Sequence, residues 1–347
     1  MAIEYLGNKT RLLDFVVSPI AAVKGISAVA DVFCGTASVS RALGERGLRV
    51  VASDHMMLCA TLAEAALLPT GRRPFGRLGG SLEHRRGESL YAAAVRCLNE
   101  LNPVEGFFFS TYSPASAPSG TTRMYLTESN AGKVDAMRSQ IERWAPMLSK
   151  VERSILLGDL VRAVSSVSNT AGTYGCYLKS WKQRALEPLR LACAPLANLK
   201  STGHEVHCAD ATAMAAQVEV DALYLDPPYT KRQYAAYYHL LETLVAGTEP
   251  RVTGSTGLPP WEDKQSEFCY RRRAELALDG LLAAARARHV FLSYSDDGHI
   301  PHERIVELMR SRGDVRWWEY RSRRYRSNSG GRHDRSLHER LYHLQLS

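Results

Sequence analysis

Ala222-Leu223-Tyr224-Leu225-Asp226-Pro227-Pro228-Tyr229 is the stretch from which the fold is read. An apolar run stops abruptly at a charge and two prolines. Each proline fixes its own φ, lacks an N–H and biases its predecessor towards extended geometry, so neither a helix nor a paired strand continues through it. A buried strand therefore ends in a rigid corner, where an acid and an aromatic ring point into one space. Such a corner can hold a flat nitrogenous base by its edge and its face. The same residues also serve as a plain proline-rich stop to a strand.

Working outward, residues 28–34 read as a buried strand, 35–38 as a turn and 39–46 as a helix. A second strand at 48–53 ends at Asp54, and 56–67 reads as helical. The pattern resumes late, with strands at 205–209 and 221–225, helices at 233–245 and 274–287, and a strand at 289–293. Strand–helix alternation of this kind predicts an α/β fold with a parallel sheet and helices on its faces. Residues 315–320 and 340–346 are expected to pair as an antiparallel edge.

Residues 70–200 differ in character, with Gly/Arg punctuation, an aromatic Ser/Pro stretch at 107–114 and helical patterns at 131–144 and 151–167. A segment this long is not a loop within a compact domain. It reads as an inserted, mainly helical domain between catalytic segments 1–69 and 201–347. Residues 248–262, rich in Gly, Pro and Thr, read as a mobile loop.

The 347 residues, 45% of them hydrophobic, can bury a full core. A net charge of +8 suits a polyanionic partner. Seven scattered cysteines without a CxxC pair argue for a reducing compartment and against a zinc site or a disulfide framework. No apolar run approaches the roughly 18 residues that span a bilayer, and residues 1–5 lack a signal-peptide pattern. A cytoplasmic protein with no metal and no membrane association is expected.

Four further constellations carry chemistry. Asp31-Val32-Phe33-Cys34-Gly35-Thr36-Ala37-Ser38 couples a strand to a small-residue turn and a helix N-terminus, where a ligand can approach the backbone. In doubly wound sheets, ligands sit at such carboxyl ends. One glycine is no dinucleotide fingerprint. Asp54 is placed to take the hydroxyls of a ribose or to cap a helix. Asp210 is placed to accept an exocyclic amine or, again, to cap. In Tyr5-Leu6-Gly7-Asn8-Lys9, Asn8 can cap the following helix, whereas Lys9 opposes its dipole, a mild hint of a ligand carboxylate.

These turns, in this order, resemble the S-adenosylmethionine-dependent adenine-N6 DNA methyltransferases related to the Dam enzyme. That family runs aromatic-x-Gly-x-Lys, Asp-x-Phe-x-Gly, a central target-recognition domain and Asp-Pro-Pro-Tyr. Residues 168–179 and 232–243 are most similar to methylases of Fok-type restriction–modification systems. The turn departs from many relatives at 36–38, where they carry a second glycine.

The resemblance implies a Rossmann-like methyltransferase sheet with an inserted helical target-recognition domain. It implies S-adenosylmethionine as cofactor, double-stranded DNA as partner and a possible cognate restriction endonuclease. Tyr5, Gly7 and Lys9 would hold the methionine end of the cofactor, Asp31, Phe33 and Gly35 would line its pocket, Asp54 would take the ribose and Asp210 the adenine. Asp226 and the Pro227 carbonyl would orient the target amine, with Tyr229 stacked on a flipped base. Asn169, Thr173, Tyr174 and Lys179 would lie near the target strand. Lys231, Arg232 and Arg324 are basic candidates for phosphate, and Arg72, Arg73, Arg77, Arg85, Arg86 and Arg123 for phosphate or guanine. Ribosomal RNA methylation, non-catalytic DNA binding and cytosine-N4 transfer are the alternatives that the sequence leaves open.

Overall fold

The computed structural model describes residues 5, 7, 9–83, 85–199, 202–323 and 336–347, with only the backbone at 322, 323, 336 and 337. Asn8 and Arg324 lie outside the described residues.

In chain order the first part comprises α1 (Leu13–Ala21), β1 (Ala28–Asp31), α2 (Ser38–Glu45), β2 (Arg49–Asp54) and α3 (Met57–Leu67). Then come α4 (Leu90–Glu100), α5 (Phe107–Tyr112), α6 (Glu128–Trp144) and α7 (Lys150–Val167). The last part comprises β3 (Glu205–Cys208), α8 (Ala211–Gln217), β4 (Ala222–Leu225), α9 (Tyr234–Tyr237), α10 (His239–Ala246), α11 (Ala274–Ala284), β5 (His289–Ser295), α12 (His302–Arg310), β6 (Gly313–Arg323) and β7 (Ser336–Leu346).

The chain divides into two compact units. One holds Gly7–His55, Leu199–Gln233 and Gln265–Ser347, and contains the whole sheet. Its strands run β3-β2-β1-β4-β5-β7-β6. The first five are parallel, and β7 inserts antiparallel between β5 and β6. Every residue of β4 is buried, as a parallel strand covered on both faces requires. One face packs Leu223, Leu225, Val290 and Leu292 against α8, α11 and α12 through Met214, Leu278, Leu281 and Ile305. The order reverses between β1 and β4, which makes their carboxyl ends the topological switch point where open α/β sheets bind ligands.

The other unit is helical and holds Met56–Asn198 and Tyr234–Lys264, together with Tyr5. Its bounds exceed the expected insert, because α3 and residues 234–264 pack with it. The aromatic stretch at 107–112 is the helix α5, whose Phe108 and Phe109 N–H groups donate to the Asp135 carboxylate at 3.0 and 2.8 Å. The helix expected at 233–245 is broken at Tyr238, whose ring stacks on Tyr5 with centroids 4.5 Å apart.

The loop at 248–262, expected to be mobile, is tethered. The buried Arg123 guanidinium donates to the carbonyls of Thr111, Gly254 and Ser255. Tyr125 and Tyr112 hydroxyls donate to the carbonyls of Thr256 and Gly257. Arg123, expected as a candidate contact for phosphate or guanine, anchors this loop. A guanidinium suits this because its donors fan out in one plane.

Candidate active site

The corner after β4 is braced from behind. The Tyr229 carbonyl accepts the His299 N–H at 3.0 Å, and its ring meets Tyr294 edge-on at 5.8 Å. Downstream, the Gln233 side chain both donates to and accepts from the Ser266 backbone. The Cys269 thiol donates to the Arg232 carbonyl at 3.2 Å. The two prolines and these bonds hold an acid and a ring in fixed relation. Asp226 keeps 16% of its side chain exposed, so an incoming group can reach it.

Lys9 meets this acid. Its Nζ lies 3.2 Å from Asp226 Oδ1, 3.6 Å from Glu339 Oε2 and 5.5 Å from the centre of the Tyr229 ring. Burial pulls the Lys9 ammonium down, but Asp226, Tyr229 and Glu339 outweigh it and hold the cation above its ordinary value. Burial pushes Asp226 up to about 6, with Lys9 opposing and Glu339 reinforcing the rise. Tyr229 is pushed up to about 12, chiefly by burial.

At the end of β1, Asp31 is fully enclosed. Its Oδ2 accepts the Ser40 hydroxyl at 2.6 Å, while Oδ1 is buried with no hydrogen-bond partner. Burial pushes Asp31 up to about 7; the Ser40 bond opposes this, and the charges of Asp226 and Asp54 add to it. The following turn places Gly35 at φ 50° and Ala37 at φ 60°. Ala37 thus takes the left-handed conformation as a non-glycine residue within the 36–38 turn. A non-glycine residue there costs roughly 1–2 kcal/mol.

The Gly35 N–H donates to Asp54 Oδ2 at 3.1 Å. In the helical unit, the Met57 and Leu58 N–H groups at the start of α3 donate to the Glu242 carboxylate at 2.9 and 2.8 Å. Asp210 caps α8, accepting from Thr212 and Ala213 through Oδ1. Phe33 packs edge-on against Phe268 at 5.5 Å, and Gly7 has φ 74°.

The sheet unit therefore gathers Lys9, Asp31, Asp54, Asp226 and Tyr229 around the ends of β1, β2 and β4, with Lys231 and Arg232 exposed beyond the corner. Residues 5–306 match the family described as D12 class N6 adenine-specific DNA methyltransferase. The chain belongs to that family.

Among relatives of this D12-class chain, the type II methyltransferase M.FokI of Planomicrobium okeanokoites is 31% identical over 99% of this chain and 52% of its own length. The modification methylase LlaI of Lactococcus lactis subsp. lactis is 33% identical over 88% and 48%. The type II methyltransferase M.NlaIII of Neisseria lactamica is 32% identical over 92% and 91%. The chain thus spans about half the length of M.FokI and LlaI. The solved rRNA methyltransferase aviRa from Streptomyces viridochromogenes overlays with a TM-score of 0.27 at 15% identity over 85% of this chain and 76% of its own, too loosely to bear on fold or substrate.

The sheet is the Rossmann-like methyltransferase sheet that the family resemblance implies. Other expected D12 site residues lie in the helical unit. Tyr5 stacks on Tyr238 and its hydroxyl meets Cys59 Sγ at 3.3 Å. Asn169 is fully buried; its amide donates to the Leu178 carbonyl and accepts the Lys182 N–H, clamping its loop. Tyr174 is buried too, donating its N–H to the Tyr237 carbonyl. Thr173 is half-buried and Lys179 exposed.

Glu339 and Ser40 were not among the expected residues. Glu339 shares its strand face with Leu341 and His343, and an acid in the buried phase of a strand is the available signal. Ser40 lies in the first turn of α2 and carries none. Among the described residues no helix is long and apolar enough to cross a membrane, and no cluster of three or more His, Cys, Asp or Glu is arranged to hold a metal.

Proposed function

We propose that this chain methylates the N6 amine of adenine in double-stranded DNA, with S-adenosylmethionine as methyl donor. The observation that carries the reading is Asp226, a reachable carboxylate held at the switch point of a D12-family sheet beside the Tyr229 ring.

The residues present fit the cofactor. Asp31 Oδ1 is a buried acceptor lacking a partner, and Asp31, Asp54 and Asp226 repel one another's charges. A site built this way favours a ligand with positive charge, and S-adenosylmethionine carries an ammonium and a sulfonium. Asp31, Phe33 and Gly35 would hold its methionyl part, Asp54 the ribose and the free oxygen of Asp210 the adenine. When bound, the cofactor supplies a sulfonium-activated methyl group.

The protein's own part is orientation and proton placement. The N6 lone pair of adenine is delocalised into the ring. Hydrogen bonds from the two N6 hydrogens to Asp226 and the Pro227 carbonyl favour a tetrahedral nitrogen and free that lone pair. The nitrogen becomes cationic as its new bond forms, and its proton passes to Asp226. A carboxylate whose affinity is raised to about 6 accepts that proton and returns it to water near neutral pH. Tyr229 stacks on the extruded base, and about 1–3 kcal/mol of stacking offsets much of the few kcal/mol that flipping costs.

Residues 70–200 would read the DNA sequence, with Thr173, Lys179, Lys231 and Arg232 near the target strand. Asn169 and Tyr174 would support them by fixing the loop. We place the protein in the cytoplasm, within a restriction–modification system that includes a cognate endonuclease. Incubation with methyl-labelled S-adenosylmethionine and duplex DNA, then nucleoside mass spectrometry, should yield N6-methyldeoxyadenosine. Transfer to ribosomal RNA alone, or to no nucleic acid, would overturn the reading.

A further inference from the structure

The active-site lysine has two carboxylates within ion-pair distance and a full hydrogen bond to only one. Lys9 Nζ is 3.2 Å from Asp226 Oδ1 but 3.6 Å from Glu339 Oε2, and that oxygen is buried with no hydrogen-bond partner. Glu339 stands in β7, opposite Ser295 of β5 and Tyr320 of β6. The register Asp31↔Tyr224↔Phe291↔His343 puts Asp31, Tyr224, Ser295 and Glu339 on one face of the sheet. Ser295 Oγ and the Tyr224 hydroxyl are also buried there without a partner. Glu339 is thus held in a rigid strand with Oε2 turned to Lys9 at ion-pair distance but making no hydrogen bond.

In this structure Lys9 occupies an oxygen of Asp226, the acid that the proposed chemistry needs for the adenine amine. A buried ammonium cannot leave that acid for an apolar wall, because an unpaired buried charge is heavily penalised. A second carboxylate within a fraction of an ångström of bonding range removes that obstacle.

We propose that Glu339 is a positioning residue that takes over Lys9 when the target amine reaches Asp226. Lys9 Nζ closes the gap to Glu339 Oε2, the amine donates to the vacated Asp226 oxygen, and the cation stays paired throughout. No covalent bond changes. The inference rests on the adenine-methylation reading of this site.

The charged and titratable groups facing Asp226 are Lys9, Glu339, Tyr229, Tyr224 and Asp31. Glu339→Gln removes one negative neighbour and leaves Lys9 to Asp226 alone. The Asp226 carboxyl, followed by carbon-13 NMR of labelled aspartate and assigned with Asp226→Asn, should then titrate about one pH unit lower. The kcat on duplex DNA should fall about tenfold, with calorimetric affinity for S-adenosylmethionine retained. Lys9→Arg supplies an independent variant: a guanidinium bridges both carboxylates at once and cannot be handed over, so kcat should fall comparably although the charge is kept.

An Asp226 midpoint unmoved by Glu339→Gln would overturn the proposal, as would wild-type kcat in either variant. If the wild-type protein methylates no DNA, the functional reading fails. The carboxyl titration then still decides whether Glu339 shares Lys9.

Discussion

The hydroxyl of Ser40 donates to Oδ2 of Asp31 at 2.6 Å and ties the first turns of α2 to the end of β1. It satisfies one oxygen of a fully buried acid and leaves the other without a partner. The local cost and the proposed use of the site meet in that one carboxylate.

Asp31 should make stability pH-dependent. Its folded value, about 7, lies above the ordinary aspartate value of 3.8, so the folded state binds the proton more tightly. Its contribution is then most favourable below about pH 4 and is lost as pH rises through about 7. Asp31→Asn keeps an acceptor for Ser40 and removes the charge. Urea unfolding at pH 5 and pH 8 should show a larger gain at pH 8, on the order of a few kcal/mol. Calorimetry should show the cofactor binding at least tenfold more weakly in the variant. An equal stability change at both pH values would contradict the assignment.

Asp226 should govern the acid side of turnover, since only the carboxylate accepts from the target amine. With the acid titrating near 6, kcat should climb through about pH 6 and level off above it. Asp226→Ala should lower kcat by roughly a thousandfold or more, an effect typical of losing a positioned acid–base group, while cofactor affinity stays within a few fold. Steady-state kinetics across pH, with calorimetry alongside, tests both statements.

Arg123 should matter to stability and little to salt-dependent DNA affinity. Its guanidinium serves three backbone carbonyls in a buried setting. Arg123→Met should destabilise by about 2–3 kcal/mol as those carbonyls lose charge-assisted donors, and Arg123→Lys should restore less than half. Limited proteolysis near residues 250–258 should speed up. A reduced salt slope for DNA binding would instead make it a phosphate contact.

Asn169 and Lys179 should separate cleanly. Asn169→Ala opens a buried clamp and should lower stability by about 2 kcal/mol. Lys179 is exposed, so Lys179→Ala should leave unfolding unchanged. It should weaken DNA binding about equally across sequences and reduce the salt slope by about one. Fluorescence anisotropy at several salt concentrations and chemical unfolding give the two readouts.

The sheet was legible because parallel strands covered on both faces are mostly apolar, so 28–31, 49–54, 222–225 and 289–295 stand out as apolar-rich runs. The acids that end the first three of these runs marked the ligand-facing rim. α8 and α12 were not expected; α8 is seven residues long, and the packing of α11 against it supplies what its own sequence does not. The loop at 248–262 looked mobile because Gly, Pro and Thr dominate it. Its order comes from Arg123, Tyr112 and Tyr125, more than a hundred residues away in the chain.

The sequence by itself determined the corner at 226–229, the order of the motifs and the family they resemble, because these rest on local backbone chemistry and short-range pattern. Only the tertiary structure decided that Asp54 meets Gly35 while Asp210 caps α8, that Asn169 and Arg123 are internal clamps, and that Lys9 stands between Asp226 and Glu339. Those pairings depend on strand order and register. An antiparallel β7 slipped by one residue would turn Glu339 to the opposite face and leave Lys9 with Asp226 alone.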